Sequence, residues 1–307
     1  MVAIYCEKGN PTSPQRMKDW TLPDDPVLRV EFEQDSQDRR DELYSEVPYE
    51  AFLNCSRMRE VILSNTIRKI CGRAFEGCES LISMEIPANV EEIEMSAFKK
   101  CTRLEEFKYK DDQSHHEVTF GDELFDECTK LKSVILPNGL ERIGRRLFRK
   151  CKSLEGLEIK PGPISILDEA FYGCKNLAVV KICPSVAIIG IRAFAKCESL
   201  RKIAINKGVV KIEREAFRGC VNLVKVKISD RIEEINSMAF CDCPKLKVIT
   251  TVEKKNPQSD ENKLPQRLNV ISSRAFCRCS RLKKIELPDE LRLIEESAFE
   301  GSGLEEI

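Results

Sequence analysis

Apolar and polar positions follow one another along this chain in a unit that is clearest from Ala216 to Ile228 and is repeated many times. Aligned on its phenylalanine, the unit recurs at Phe52, Phe75, Phe98, Phe125, Phe148, Phe171, Phe194, Phe217, Phe240, Phe276 and Phe299. The steps are 23 residues, except for 27 after Phe98 and 36 after Phe240. The preceding residue is Ala, or Leu at Leu124 and Leu147. Three residues on stands Cys, from Cys55 to Cys279, and six residues on stands Leu, with Met58 in the first copy. Aliphatics follow at nine and eleven residues, as in Val226 and Ile228, and another precedes the Phe by five, as in Ile212. A fixed period of roughly 20–50 residues marks a solenoid or repeat array.

Each class of position predicts an element. Leu-x-x-Ile-x-Ile reads as a short strand with one side inward and one outward. Pro87, Pro137 and Pro288 stop that strand one residue after its last aliphatic. A second aliphatic pair, as in Val90 and Ile93, runs along the opposite wall. The Ala-Phe-x-x-Cys corner is too short for a long helix and fits one tight or 3₁₀-like turn. One repeat cannot enclose a core, but stacked repeats share one. The predicted fold is therefore a β-rich solenoid, a superhelix of about eleven coils with short parallel strands on its concave wall. At about 4.8 Å per stacked strand, eleven coils make a rod or arc roughly 50 Å long.

The motif Ile-x-x-x-Ala-Phe-x-x-Cys-x-x-Leu-x-x-Ile-x-Ile-Pro resembles the BspA-like class of leucine-rich repeats, over about residues 44–307. It departs from the commoner leucine-rich pattern, where Asn or Cys follows the strand; here Cys precedes it. The resemblance implies a binding or adhesion module of the kind found on surfaces of bacteria and protists. It brings no catalytic residues with it.

Composition narrows this further. Charged residues are 33%, which fits a thin solenoid with much surface. The net charge of −1 gives no global pull toward nucleic acid or an anionic membrane. Of the 15 cysteines, ten share one inward register, so they read as small buried hydrophobes whose S–H groups bond nearby carbonyls. The opening Met1-Val2-Ala3-Ile4-Tyr5-Cys6 has no apolar run long enough for a signal peptide, and no stretch approaches the ~20 apolar residues of a membrane helix. A reducing, cytoplasmic setting is expected. The alternative is the cell surface, by a route that the sequence does not display.

Residues 1–26 carry four prolines and no periodicity, and are expected to form an irregular arm. Val27 to Phe32 alternates like a repeat strand, so 27–49 reads as an N-terminal capping coil with a charged insertion, ahead of a solenoid over 50–307. Insertions at 110–116 and 252–266 both begin just after a strand and should leave the same edge. The last copy has Ser302 in the Cys position and stops within a strand at Ile307. An uncapped edge invites self-association, unless the chain is incomplete.

Two clusters have ligand-type side chains. Asp111, Asp112, His115 and His116 hold the only histidines. They form a weak zinc-type candidate, because adjacent histidines on a short insertion are more often solvated. Cys241 and Cys277 are extra thiols beside Cys243 and Cys279 at matching positions of successive coils. They read as two unpaired thiols, with a disulfide or a zinc site as the alternatives. No phosphate-binding loop, nucleophile elbow or zinc-protease helix is present, and no cofactor is expected.

The outward strand positions, seven, eight and ten residues after each Phe, should form the concave binding wall of a solenoid. From Arg59 to Glu158 they carry six acids and three bases. From Ala178 to Glu286 they carry eight bases, Lys181, Arg201, Lys202, Lys225, Lys227, Lys247, Lys283 and Lys284, and one acid. The expected function is a non-enzymatic protein-interaction scaffold whose basic half recruits an acidic protein. The alternatives are a cell-surface adhesion module, as the resemblance implies, and binding of an acidic polymer by the basic half. Nucleic acid fits poorly, because that face lacks interleaved aromatics for stacking.

Overall fold

The computed structural model describes residues 2–4, 27–30, 45–110, 117–159, 162, 165–251 and 262–305. The chain falls into two compact units, Met1–Leu140 and Glu141–Ile307. Each is a stretch of parallel β-solenoid, and no helix occurs among the described residues.

In the first unit, Ser83–Ile86 pairs in parallel with Glu106–Tyr109, which pairs with Ser133–Ile135. Along a second wall, the two-residue strands Glu46–Val47, Lys69–Ile70, Glu92–Ile93 and Thr119–Phe120 form a parallel ladder. Val27–Val30 pairs with Glu60–Ile62. Val2–Ile4 pairs in turn with Val27–Val30. The segment read as irregular thus contains a strand, whose three residues are too few to show a period.

The second unit repeats the plan. Lys202–Ala204, Lys225–Ile228 and Val248–Thr251 form one parallel sheet. Lys211–Ile212, Glu234–Ile235, Val270–Ile271 and Leu293–Ile294 form part of the opposite wall.

The rings fill the interior as expected. Phe75 through Phe276 of the repeat column are fully buried. In the second unit successive rings from Phe148 to Phe299 stack with centroids 5.0–5.4 Å apart. In the first unit the step from Phe98 to Phe125 widens to 6.1 Å, at the 27-residue spacing. Phe107 fits edge-on against both rings, at 5.6 and 4.6 Å.

The cysteines close a polar ladder inside this core. The thiol of Cys220 donates to the carbonyl of Phe194 at 3.1 Å, and that of Cys243 to Phe217 at 3.2 Å. Cys78, Cys101, Cys128, Cys174, Cys197 and Cys279 do the same one coil back. Each of these thiols answers a buried carbonyl, which is why a small weak donor suits the position better than Ala or Val. Cys55, in the first coil, is only half-buried.

The corner is a run of tight turns closed by backbone bonds three residues back. The residues two before and two after each Phe are left-handed in every copy, as at Glu215 (φ 57°) and Gly219 (φ 71°). The reversal splits the amides into two sets. Ala216, Arg218 and Cys220 fold back on Glu213, Glu215 and Phe217. Glu215, Phe217 and Gly219 donate to Ser237, Ala239 and Cys241 of the next coil. The corner therefore stacks by backbone hydrogen bonds as firmly as the strands do.

Candidate functional site

Outward positions of the 141–307 unit come to one face because the strands Lys202–Ala204 and Lys225–Ile228 alternate. Ile203 and Val226 point inward, while Lys202, Ala204 and Lys227 are exposed and Lys225 is half-exposed. Parallel register sets Lys202 beside Lys225 and Ala204 beside Lys227. Like charges on adjacent strands repel, at a cost of a few tenths of a kcal/mol or more. Nothing in the core requires them there.

Their surroundings distinguish these cations from the others. Lys181 lies 3.7 Å from Glu158, and Lys283 pairs with Glu305 at 2.6 Å. Among the described residues, Arg201, Lys202, Lys227 and Lys247 have no carboxylate within 4 Å. On the Phe corner three arginines are paired. Arg146 meets Glu169 at 2.8 Å, Arg192 meets Glu215 at 2.9 Å, and Arg218 meets Glu215 at 3.1 Å and Asp242 at 3.5 Å. On the second wall Lys211 meets Glu234 at 2.8 Å. Beside the cationic column runs a shallow open groove of about 370 Å³, lined by Glu155, Asn176, Ala178, Ser199, Arg201 and Asn222. Its polar floor is held rigidly: Asn222 donates to the Glu198 carbonyl at 2.7 Å and accepts from Lys245 at 2.6 Å.

Two expectations for this face need correction. Val248 and Thr250, read as outward, are 8% and 5% exposed. The chain returns at Asn262 and lies against their strand. The Asn262 side chain accepts from the Ile249 amide at 2.9 Å and donates to the carbonyls of Lys247 at 2.8 Å and Lys284 at 2.9 Å. Nor do the eight cations form one unbroken column. Residues 262–264 bond to Glu286, with the Glu286 amide on the Asn262 carbonyl and the Leu264 amide on the Glu286 carbonyl. This re-entry separates Lys283 and Lys284 from Lys247. Asn262 had no signal in the repeat, because it belongs to the insertion. Asn262→Ala is expected to destabilise this region by about 1–3 kcal/mol, one lost clamp of three hydrogen bonds, measured as earlier urea unfolding of the unit.

The ligand-type clusters fare differently. Asp111, Asp112, His115 and His116 lie outside the described residues. Among the described residues no group of three or more His, Cys, Asp and Glu side chains is placed to hold a metal ion. The four-thiol zinc reading fails for a simple reason: Cys243 and Cys279 turn inward to backbone carbonyls, away from Cys241 and Cys277. Burial pushes the Cys220 and Cys241 thiols up to about 12, so they stay protonated at neutral pH. No helix of the described residues is long and apolar enough to cross a membrane.

A family model described as a BspA type leucine rich repeat region, in six copies, matches residues 42–153, 118–247 and 254–307. No curated protein matches the chain by sequence. Among solved structures, a leucine-rich repeat protein from Bacteroides ovatus ATCC 8483 is 23% identical over 83% of this chain and 79% of its own, with a TM-score of 0.54. A leucine-rich repeat protein from Eubacterium ventriosum ATCC 27560 is 21% identical over 91% of this chain and 83% of its own, with a TM-score of 0.51. These likenesses concern the fold. With its phenylalanine column, its thiol ladder and a family match over most of its length, the chain belongs to the BspA-type leucine-rich repeat family.

Proposed function

We propose that this protein is a non-enzymatic interaction scaffold that binds an acidic protein segment on the strand face of its 141–307 unit. The observation that carries this reading is the contrast in pairing. Arg201, Lys202, Lys227 and Lys247 stand exposed on a rigid sheet with no carboxylate within 4 Å among the described residues, whereas the corner arginines Arg146, Arg192 and Arg218 and the second-wall Lys211 are tied to acids. An anionic partner complements these four cations, and a rigid surface loses little entropy on binding. The groove beside Arg201 supplies amide and hydroxyl groups for a backbone laid along it. A column of buried cysteines whose thiols donate to backbone carbonyls also supports a reducing compartment.

The test uses a fluorescent glutamate-rich peptide as probe, read by anisotropy at low and high salt. Binding to the wild-type protein is expected to weaken steeply with salt. Lys202→Glu with Lys227→Glu is expected to weaken it at least tenfold at low salt and to flatten the salt dependence. A pair reversed on the second wall, Lys211→Glu with Glu234→Lys, should leave it unchanged. Equal binding by both variants would refute the assignment of this face, and tighter binding of heparin than of the peptide would move the reading to an acidic polymer.

A further inference from the structure

Cys241 and Cys277 are not needed by the thiol ladder, since Cys243 and Cys279 already occupy its positions in the same two coils. Both sit one residue after a repeat phenylalanine, where other coils carry Arg149, Tyr172 or Arg218, and each is 5% exposed. The two coils are in register: the Phe240 and Phe276 rings stack at 5.4 Å and 6°. Backbone bonds bracket the pair, from the Phe240 amide to the Ala275 carbonyl at 2.8 Å and from the Asp242 amide to the Cys277 carbonyl at 3.0 Å. Such bonds hold neighbouring chains about 4.8 Å apart, inside the roughly 4.4–6.8 Å that disulfides span between Cα atoms. Left-handed residues flank each thiol alike, Met238 and Asp242 at φ 57° and 59°, Arg274 and Arg278 at 57° and 58°. The two side chains therefore leave the backbone in the same direction, from matching positions of neighbouring coils.

We propose that Cys241 and Cys277 form a redox-modification site, closing reversibly to a disulfide in the presence of a low-molecular-weight disulfide oxidant such as glutathione disulfide. One protein thiol, on losing its proton, attacks the oxidant's S–S bond, releasing one glutathione thiolate and leaving a mixed disulfide. The second protein thiol, on losing its proton, attacks the protein sulfur of that bond and expels the second glutathione. Two protein thiols are oxidised, one glutathione disulfide is reduced to two thiols, and no other reactant is needed. Wrong pairing is disfavoured because the Cys243 and Cys279 thiols are engaged with the Phe217 and Phe240 carbonyls, each at 3.2 Å. The link would tie together the two ends of the stretch that contains the strand Val248–Thr251 and its Asn262 clamp, and so would stiffen the edge of the cationic face.

The folded full-length chain, incubated with glutathione disulfide, is expected to lose two hydrogens by intact mass and to yield one cross-linked peptide joining Cys241 to Cys277, reversed by dithiothreitol. In the oxidised protein, amides of residues 248–251 and 262–271 should exchange ~10²-fold more slowly than in the reduced one, by the loop-closure effect of a link of this span. The difference should vanish in Cys241→Ser/Cys277→Ser. The proposal is overturned if the folded protein forms no such link, if Cys241 is found joined to Cys243, or if a glutathione adduct accumulates without closing. If the double variant does not fold, the peptide map of the wild-type protein decides alone.

Discussion

Phe217→Ala is expected to destabilise the 141–307 unit by about 3–5 kcal/mol, the usual range for emptying an aromatic core position. The Phe217 ring lies between Phe194 at 5.4 Å and Phe240 at 5.3 Å, nearly parallel to both, and none of the three is exposed to solvent. Its neighbours cannot close the gap. Backbone hydrogen bonds fix their spacing on both the strand and the corner side, so the cavity persists. Urea unfolding measures the loss. Hydrogen exchange locates it, since contacts in a solenoid reach only adjacent coils. Amides of Ile203, Val226 and Ile249 should lose protection, and those of Met84 should keep theirs. Equal loss in both places would show that the coils do not behave as nearest-neighbour units.

The second large effect is expected at Glu215. Its side chain is nearly buried, with its carboxylate held by Arg192 at 2.9 and 3.0 Å and by Arg218 at 3.1 Å. Hydrogen bonds from Arg192, and then from Arg218, hold the carboxyl below its ordinary range although burial pulls it up. Glu215→Gln keeps the shape and the left-handed backbone but removes the charge. It is expected to cost about 1–3 kcal/mol at neutral pH, the range for charge-assisted hydrogen bonds lost from a nearly buried site. Because the folded carboxyl titrates lower than the unfolded one, its contribution is complete above the ordinary carboxylate value of about 4.3. It then fades as pH falls through the lower folded value. The gap between wild type and Glu215→Gln should accordingly narrow in acid. A gap that stayed constant from pH 7 to pH 3 would mean that the effect is packing and not charge.

What could be read from the sequence, and what could not, follows from how each feature is encoded. The ring column, the thiol ladder and the alternating strands each use a restricted residue type at a fixed period, so counting from Phe52 to Phe299 locates them. The left-handed corner does not show itself that way. Only Gly77, Gly173, Gly219 and Gly301 hint at it, because at the other copies the same backbone carries residues such as Lys100, Glu127 and Arg278. Glu215, Arg192 and Glu169 looked like ordinary surface charges, since ion pairing between coils links residues 23 positions apart. The strand face was placed correctly at Lys202 and Lys227 because its position is periodic. It was wrong at Val248 and Thr250 because their cover comes from Asn262, in a segment outside the repeat.

The left-handed position two before each phenylalanine reads Arg146, Glu169, Arg192, Glu215 in successive coils. Along that run acids and bases alternate, and each touches the next. Excising one 23-residue turn from the middle would set arginine against arginine or glutamate against glutamate. Excising two restores the alternation. Although every turn has the same shape, the smallest interchangeable part of this stretch is a pair.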